Sequence, residues 1–139
     1  MLKIFICSHG HMASGIKSSV EILLGSSSNI TAFDAYVDKS SVQEHLDSFY
    51  KTVDKNDRVF LLSDLYGGSV NSAMYLYLDK PNTTLIAGIN LALVLELANR
   101  KDITTEEIDE LVDDTRKMMK IVKLNDDSNE SIAEKDDFF

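Results

Sequence analysis

The segment KIFICSHGHMASGIKSSVEILLG, residues 3–25, joins a short apolar run to a longer amphipathic stretch through a polar turn. The apolar run at 3–7 predicts a buried strand, because it is short and stops at the small and polar residues 8–10. Apolar residues recur at helical spacing from Met12 onward, and Gly25 supplies the stop signal of a helix. The segment therefore predicts a strand–turn–helix unit whose turn carries a histidine.

The same alternation of strand-like and helical stretches continues along the chain. Further strands are predicted at 29–37, 58–62 and 83–89, and further helices at 42–53, 70–77, 91–98 and 108–119. Ser40 with Gln43, or Ser41 with Glu44, fits a capping box before the second helix, and Thr104 with Glu107 fits one before the last. This alternation predicts an α/β fold, with a parallel sheet of four strands and helices on both of its faces.

The C-terminal part of the chain has a different character. Residues 121–124, with the sequence IVKL, either extend the last helix or form a short fifth strand. From Asn125 the chain is polar and acidic until its two final phenylalanines, so we expect residues 125–139 to be a disordered tail. We expect one domain over residues 1–124.

Composition excludes several classes of function. The net charge is −9 and no cluster of Lys and Arg is visible, which argues against nucleic acid as a partner and favours a basic protein. The single cysteine, Cys7, excludes an internal disulfide and suits a reducing cytoplasm, where we expect the protein. No stretch approaches the roughly 20 apolar residues that span a bilayer, and the N-terminal sequence lacks the pattern of a signal peptide.

Polar residues with useful chemistry follow three of the predicted strands. In parallel α/β sheets, ligands and reactive groups gather at the carboxyl ends of the strands, which selects residues 8–11, 64–69 and 88–90. A neutral imidazole is nucleophilic near pH 7, so His9 can accept a phosphoryl group and pass it on. Asp64 can accept a hydrogen bond from the other ring nitrogen, which fixes the tautomer and stabilises positive charge on the ring.

The sequence after Asp64 offers a cradle for a phosphoryl group. Gly67 and Gly68 let the backbone approach a ligand closely, and Ser69 adds a hydroxyl donor at the start of a predicted helix. Phosphoryl transfer needs mainly positioning and charge stabilisation, which such donors supply. No metal is expected, because His9 and His11 are two residues apart with no cysteine or glutamate at ligand spacing, and no cofactor is expected either.

Plainer roles compete with these functional ones. Asp64 can simply cap the next turn, and Ser69 can be an ordinary N-cap. His11 is close enough to compete with His9 as the acceptor, although we expect it at the rim or against the first helix. His45 is expected to be solvated on its helix, and Cys7 to be a small buried apolar side chain.

Three segments carry a resemblance to a known family. IFICSHGHMASGI, LLSDLYGGSVNSA and IAGINLALVLELA occur in this order within roughly residues 1–120. His-Gly after strand one, Asp-x-x-Gly-Gly-Ser after strand three and Gly-x-Asn after strand four form a specific combination. It resembles the IIA subunit of the mannose/fructose/sorbose family of sugar phosphotransferase systems (PTS).

The resemblance implies a function and partners. In that family the histidine that matches His9 accepts a phosphoryl group from the phosphocarrier protein HPr and gives it to a IIB domain. The resemblance therefore implies that His9 is phosphorylated, that Asp64 is its partner, and that the membrane IIC/IID subunits are met only indirectly. It also implies a homodimer, often with a C-terminal strand contributed to the partner's sheet, for which residues 121–124 are the candidate.

The sequence departs from the family pattern near two of the motifs. Val70 stands where the family usually has a proline, Asn71 comes one position early, and Ser72 occupies the usual asparagine position. Ala92 stands where a proline commonly follows Gly-x-Asn. These departures concern the start of the helix and the choice of IIB partner, and they leave His9, Asp64 and Ser69 intact. The transported sugar is not encoded here, because transport selectivity belongs to the membrane subunits.

Three other functions compete with this one. The phosphotransfer subunit of a dihydroxyacetone kinase has a related fold and would pass phosphate to a kinase-bound nucleotide. A receiver-type signalling module would be phosphorylated on Asp64, but it needs an acidic pair after strand one, where Ser8 and His9 stand. A regulatory domain that has lost its phosphotransfer activity is the third alternative.

Overall fold

The computed structural model describes residues 1–124 of the chain, so the expected acidic tail at 125–139 lies outside the described residues. The strands are β1 (Leu2–His9), β2 (Ile30–Ala35), β3 (Arg58–Ser63) and β4 (Thr83–Ala87). The helices are α1 (Met12–Leu24), α2 (Val42–Tyr50), α3 (Ser69–Tyr75), α4 (Leu91–Ala98) and α5 (Thr105–Arg116). The predicted fold class is confirmed: four parallel strands carry helices on both faces.

The strand order positions the site. The sheet runs β2-β1-β3-β4, so the chain turns to one side of β1 for β2 and to the other side for β3. Cys7 is level with Ser63 across the β1–β3 pair, and His9 is level with Ala35 across the β1–β2 pair. The strand order therefore reverses at β1, and a crevice at its carboxyl end is where such folds bind ligands.

The core lies on both faces of the sheet. Side chains alternate along β1, so Ile4 and Ile6 pack with α1, α4 and α5, while Phe5 and Cys7 pack with α2 and α3. Burial on both faces explains why the central strands are continuously apolar instead of alternating with polar residues.

Several helix ends agree with the sequence signals. Gly25 ends α1 with a left-handed backbone (φ 78°), and Thr104 and Glu107 form the complete predicted capping box of α5. Before α2, the hydroxyl of Ser41 accepts a hydrogen bond from the backbone N–H of Glu44. Ser41 is therefore the N-cap, and the alternative of a box beginning at Ser40 is wrong.

The segment after α5 differs from one of the two expectations. Residues 121–124 lie in neither a helix nor a strand, so the helix extension is wrong. Ile121, Val122 and Leu124 are 81%, 65% and 90% exposed, and an exchanged strand stays a prediction. Within residues 1–124, none of the helices combines the length and apolar character needed to cross a bilayer.

Candidate functional site

His9 and Asp64 meet at the carboxyl ends of the two central strands. His9 is the last residue of β1, and Asp64 directly follows β3. The backbone N–H of His9 donates to Asp64 Oδ2 at 2.9 Å, and the Nδ1 of its ring lies 2.9 Å from the same oxygen. The imidazole is therefore fixed relative to its own backbone by one carboxylate oxygen. The Asp64 side chain is 9% exposed and that of His9 is 40% exposed, so the ring stays accessible from solvent.

The electrostatics of the pair fix which ring nitrogen is available. Burial raises the pKa of Asp64, but hydrogen bonds from the backbone and ring of His9, together with the charge of its protonated ring, outweigh that effect and hold the pKa below its usual range. Asp64 is therefore a carboxylate at neutral pH and can only accept, so Nδ1 carries the proton. The lone pair of a neutral His9 ring then lies on Nε2.

A serine hydroxyl faces that free nitrogen. The Oγ of Ser69 lies 3.2 Å from Nε2 of His9. Gly68 occupies the N-cap position of α3, so the reading of Ser69 as an N-cap is wrong. Ser69 is instead the first helical residue, and its hydroxyl is directed to the imidazole.

The two glycines before Ser69 serve different purposes. Gly67 has a left-handed backbone (φ 75°), which glycine adopts without strain. Gly68 has an ordinary extended backbone, but a Cβ on it would lie 3.4 Å from Cε1 of His9. Gly67 thus shapes the turn, while Gly68 keeps the space beside the imidazole open.

The departures from the family pattern leave this arrangement in place. The helix α3 begins at Ser69 without a proline, and Val70, its second residue, has a completely buried side chain. The early asparagine, Asn71, accepts a hydrogen bond from the hydroxyl of Ser63 at 2.9 Å and so ties α3 to the end of β3.

The third predicted strand end plays a structural part. The side chain of Asn90 accepts a hydrogen bond from the backbone N–H of Leu93 and so caps α4. Its amide also donates to the backbone oxygen of Thr115 at 2.7 Å. The Gly88-x-Asn90 motif therefore joins α4 to α5, and its polar side chain is already engaged there.

Tyr36 also belongs to the site, although the sequence does not predict it there. This residue directly follows β2, has a positive φ of 66°, and its hydroxyl lies 2.7 Å from Oγ of Ser69. Its ring centroid lies 5.3 Å from that of His9, at an interplanar angle of 32°. The sequence contains no signal for this position, because Tyr36 falls inside the strand predicted at 29–37 and a left-handed tyrosine is rare.

A second histidine–carboxylate pair lies nearby. Nδ1 of His11 is 3.0 Å from Oδ2 of Asp34, which also accepts a hydrogen bond from the hydroxyl of Ser14 at 2.6 Å. Burial raises the pKa of Asp34, but hydrogen bonds from Ser14 and then from His11 outweigh it and lower the pKa. His11 is 77% exposed, as expected at the rim, and among residues 1–124 its Nε2 has no hydrogen bond.

The remaining candidates have structural surroundings. Burial, with the nearby negative charges of Asp64 and Asp34, raises the pKa of Cys7 to about 12, so its thiol is neutral and unreactive. His45 is exposed but stacks on Phe33, with ring centroids 3.8 Å apart. Across the part of the chain that the structure describes, no group of three or more His, Cys, Asp and Glu side chains could hold a metal ion.

Comparison with known proteins gives one consistent family. Residues 3–116 match the sequence model of the EIIA-man family, described as the PTS system fructose IIA component. The mannose-specific EIIAB component of Escherichia coli K12 is 30% identical over 115 residues, which cover 80% of this chain and 35% of that protein. The chain thus spans about a third of the length of the curated relatives it matches.

Solved structures agree with the fold. A sugar phosphotransferase system protein from Klebsiella pneumoniae is 25% identical with a TM-score of 0.77, covering 86% of this chain and 90% of that one. The mannose/sorbose-specific IIA subunit from Enterococcus faecalis is 25% identical with a TM-score of 0.72, covering 89% of this chain and 96% of that one.

Proposed function

Because the chain belongs to the EIIA-man family of PTS fructose IIA components, we propose that it is a phosphocarrier in sugar uptake and that His9 carries the phosphoryl group. The observation that supports this most directly is the pair of contacts made by the His9 ring. Nδ1 lies 2.9 Å from the Asp64 carboxylate and Nε2 lies 3.2 Å from the hydroxyl of Ser69, so a neutral ring with its proton on Nδ1 has its lone pair on Nε2. A nucleophile needs one free nitrogen and a fixed partner for the other, and this ring has both.

The proposed reaction has two symmetrical halves. In the first, the lone pair on Nε2 of His9 attacks the phosphorus of phospho-HPr, and the electron pair of the breaking bond stays with the donor. The phosphorylated ring keeps its proton on Nδ1 and so carries positive charge, which the Asp64 carboxylate stabilises. In the second half, a nucleophile of the IIB domain attacks the phosphorus, and the electron pair of the P–N bond returns to Nε2.

The surroundings of Nε2 suit the phosphoryl group. The hydroxyl of Ser69 is near enough to turn from Nε2 to a phosphoryl oxygen once the new bond forms. The absence of a side chain at Gly68 keeps the adjoining space open, and Gly67 shapes the turn that brings Ser69 there. Most of the stabilisation needed is electrostatic, so a few well-placed donors suffice.

The exposed surroundings of His9 fit a macromolecular donor and acceptor. The His9 ring is 40% exposed, and the apolar side chains of Met12, Val37 and Leu65 in the neighbouring segments are 44%, 50% and 58% exposed. Apolar side chains that remain in water beside a reactive group favour docking of another protein. Two proteins, HPr and then IIB, would use this surface in turn.

Labelling tests the proposal directly. Phospho-HPr is mixed with the wild type, with His9→Ala and with His11→Ala, and the phosphorylated residue is located by mass spectrometry under non-acidic conditions. His11→Ala is a matched control because His11 is also paired with a carboxylate through Nδ1. We expect label on His9 in the wild type and in His11→Ala, and none in His9→Ala.

The label is then chased into a IIB domain. Rapid loss of label to IIB supports the function in sugar uptake, whereas transfer only to a dihydroxyacetone kinase with bound nucleotide would support that alternative. Label at another residue, or no transfer from phospho-HPr, would overturn the proposal.

We also propose that the protein is a homodimer that exchanges its C-terminal segment. Among residues 1–124, β4 has β3 as its only partner strand, and all five of its residues are only partly buried. A groove beside β4 is lined by Ile86, Ile108 and Val112. The apolar residues of segment 121–124 are mostly exposed, and a second copy of this segment would pair with the free edge and cover the groove.

A further inference from the structure

Tyr36 holds a backbone conformation that its residue type disfavours. Its φ of 66° lies in the left-handed region, where a bulky side chain is strained. Such residues persist only where their surroundings hold them, and they cluster at functional sites. The contacts of Tyr36 indicate what holds it in this conformation.

Packing in the core does not explain the conformation. Tyr36 is 62% exposed, so most of its ring stays in water. Its specific contacts are a 2.7 Å hydrogen bond to Oγ of Ser69 and a tilted approach to the His9 ring at 5.3 Å. Both contacts are with residues of the candidate site, so Ser69 and His9 hold the Tyr36 ring in its position.

The protonation of the site sets the direction of each hydrogen bond. The ionised Asp64 accepts from Nδ1 of His9, so in the neutral ring Nε2 has a lone pair and accepts the hydroxyl hydrogen of Ser69. A serine hydroxyl has one hydrogen, which is then used. The short contact between Tyr36 and Ser69 therefore has the tyrosine as donor. With Tyr36 donating to Oγ, the single hydrogen of Ser69 stays available for Nε2.

We propose that Tyr36 is a positioning residue for phosphotransfer, which acts by orienting the hydroxyl of Ser69 toward the nitrogen that takes the phosphoryl group. This inference rests on the proposed function of His9. When the P–N bond forms, the Ser69 hydrogen moves from the lone pair of Nε2 to a phosphoryl oxygen, while Tyr36 continues to donate to Oγ. The donor needed by the transition state is thus in place before the reaction begins.

A double-mutant cycle tests this role. Single-turnover transfer from phospho-HPr is measured for the wild type, Tyr36→Phe, Ser69→Ala and the double variant. We expect Tyr36→Phe to slow transfer roughly 3- to 10-fold, the scale of one misplaced neutral donor, and Ser69→Ala to slow it at least as much. The double variant should be no slower than Ser69→Ala, because the tyrosine hydroxyl acts only through that serine.

A second measurement does not depend on phosphotransfer. In the unphosphorylated protein, the ¹⁵N chemical shift of Nε2 in His9 reports the hydrogen bond to its lone pair, and it should change in Tyr36→Phe without loss of thermal stability. Tyr66→Phe is the control, since Tyr66 lies in the loop before Gly67 and is 89% exposed.

The outcomes separate this inference from the proposed function. If the wild type is labelled at His9 but Tyr36→Phe has an unchanged rate and nitrogen shift, the role of Tyr36 is overturned and the phosphocarrier stands. Fully additive effects of Tyr36→Phe and Ser69→Ala would also overturn it. If the wild type takes no label, the proposed function falls, and an unchanged nitrogen shift would show that the orienting contact fails as well.

Discussion

One oxygen of Asp64 accepts two hydrogen bonds from His9, one from its backbone and one from its ring, each 2.9 Å long. The backbone and the ring of the residue that we propose carries the phosphoryl group are therefore both held by a single atom of the residue that follows β3. Rotation of the imidazole would break the second bond while keeping the first. The carboxylate thus fixes the ring in the orientation that turns Nε2 toward Ser69.

Asp64→Asn should impair phosphotransfer more than it impairs folding. The amide has a similar shape but no charge, so it neither enforces a proton on Nδ1 nor stabilises the cationic phosphorylated ring. We expect the rate of transfer from phospho-HPr to fall about 10²-fold or more, the scale of a lost tautomer-fixing carboxylate. Asp34→Asn is the matched control, because it alters the His11 pair in the same way. Equal effects of the two substitutions would argue against a special role for Asp64.

Acid should remove the stability that Asp64 contributes. Its pKa is lower in the folded protein than in the unfolded chain, so the contribution is fully present above the unfolded pKa of about 3.9. It is lost as the pH falls through the folded pKa, when the carboxyl becomes protonated in both states. Urea unfolding of the wild type and Asp64→Asn between pH 2.5 and 5 should show a stability difference that is present at pH 5 and shrinks below about pH 4. A difference that grows as the pH falls below about 4 would contradict this.

Alanine substitution of the two glycines before Ser69 should have different effects: Gly67→Ala should lower stability, whereas Gly68→Ala should lower the rate of phosphotransfer. Gly67→Ala meets no atom within 4 Å but must adopt a positive φ, so we expect a loss of roughly 1–2 kcal/mol in the free energy of unfolding. Gly68→Ala has an ordinary backbone and should fold normally, yet its Cβ would contact the His9 ring and slow transfer. Denaturant unfolding and single-turnover labelling separate the two effects. A Gly68→Ala variant with full activity would contradict the proposed use of that space.

Charge placed in the segment 121–124 should break the proposed dimer. Ile121→Asp and Val122→Asp would put a carboxylate where an apolar side chain is expected to cover the groove beside β4, so light scattering after gel filtration should shift from dimer to monomer. Ile22→Asp is the control, because Ile22 is also 81% exposed but lies on α1. A wild type that is monomeric at tens of micromolar, or a dimer that survives both substitutions, would contradict the exchange.

The sequence predicts the fold and the central pair because both depend on strong local signals. Buried strands such as 58–62 are short and apolar, and they end at polar residues. Parallel pairing then places their carboxyl ends on one edge of the sheet, so His9 and Asp64 come together once β3 lies beside β1. No distance or register is needed for that prediction.

Other features depend on properties that a pattern does not contain. The pairing of His11 with Asp34 requires the register of β1 against β2, in which Asp34 is level with Ser8. The role of Tyr36 requires a left-handed backbone at a residue that normally avoids it, and only tertiary contacts select that conformation. The capping role of Asn90, by contrast, agrees with a local signal, because asparagine is a favoured N-cap residue at the start of a helix.

The central position of β1 gives the strand that carries His9 high local stability, while the loops around the site are less constrained. Six of its eight residues are buried, and it is paired on both edges, so its amides should be among the last to exchange with solvent and should do so only through global opening. The segments that flank His9, by contrast, belong to loops at the ends of β2 and β3. Substitution of the exposed loop side chains Val37 and Leu65 would then alter the proposed docking surface while β1 and Asp64 keep the histidine in place, so the same chemistry could serve different partners.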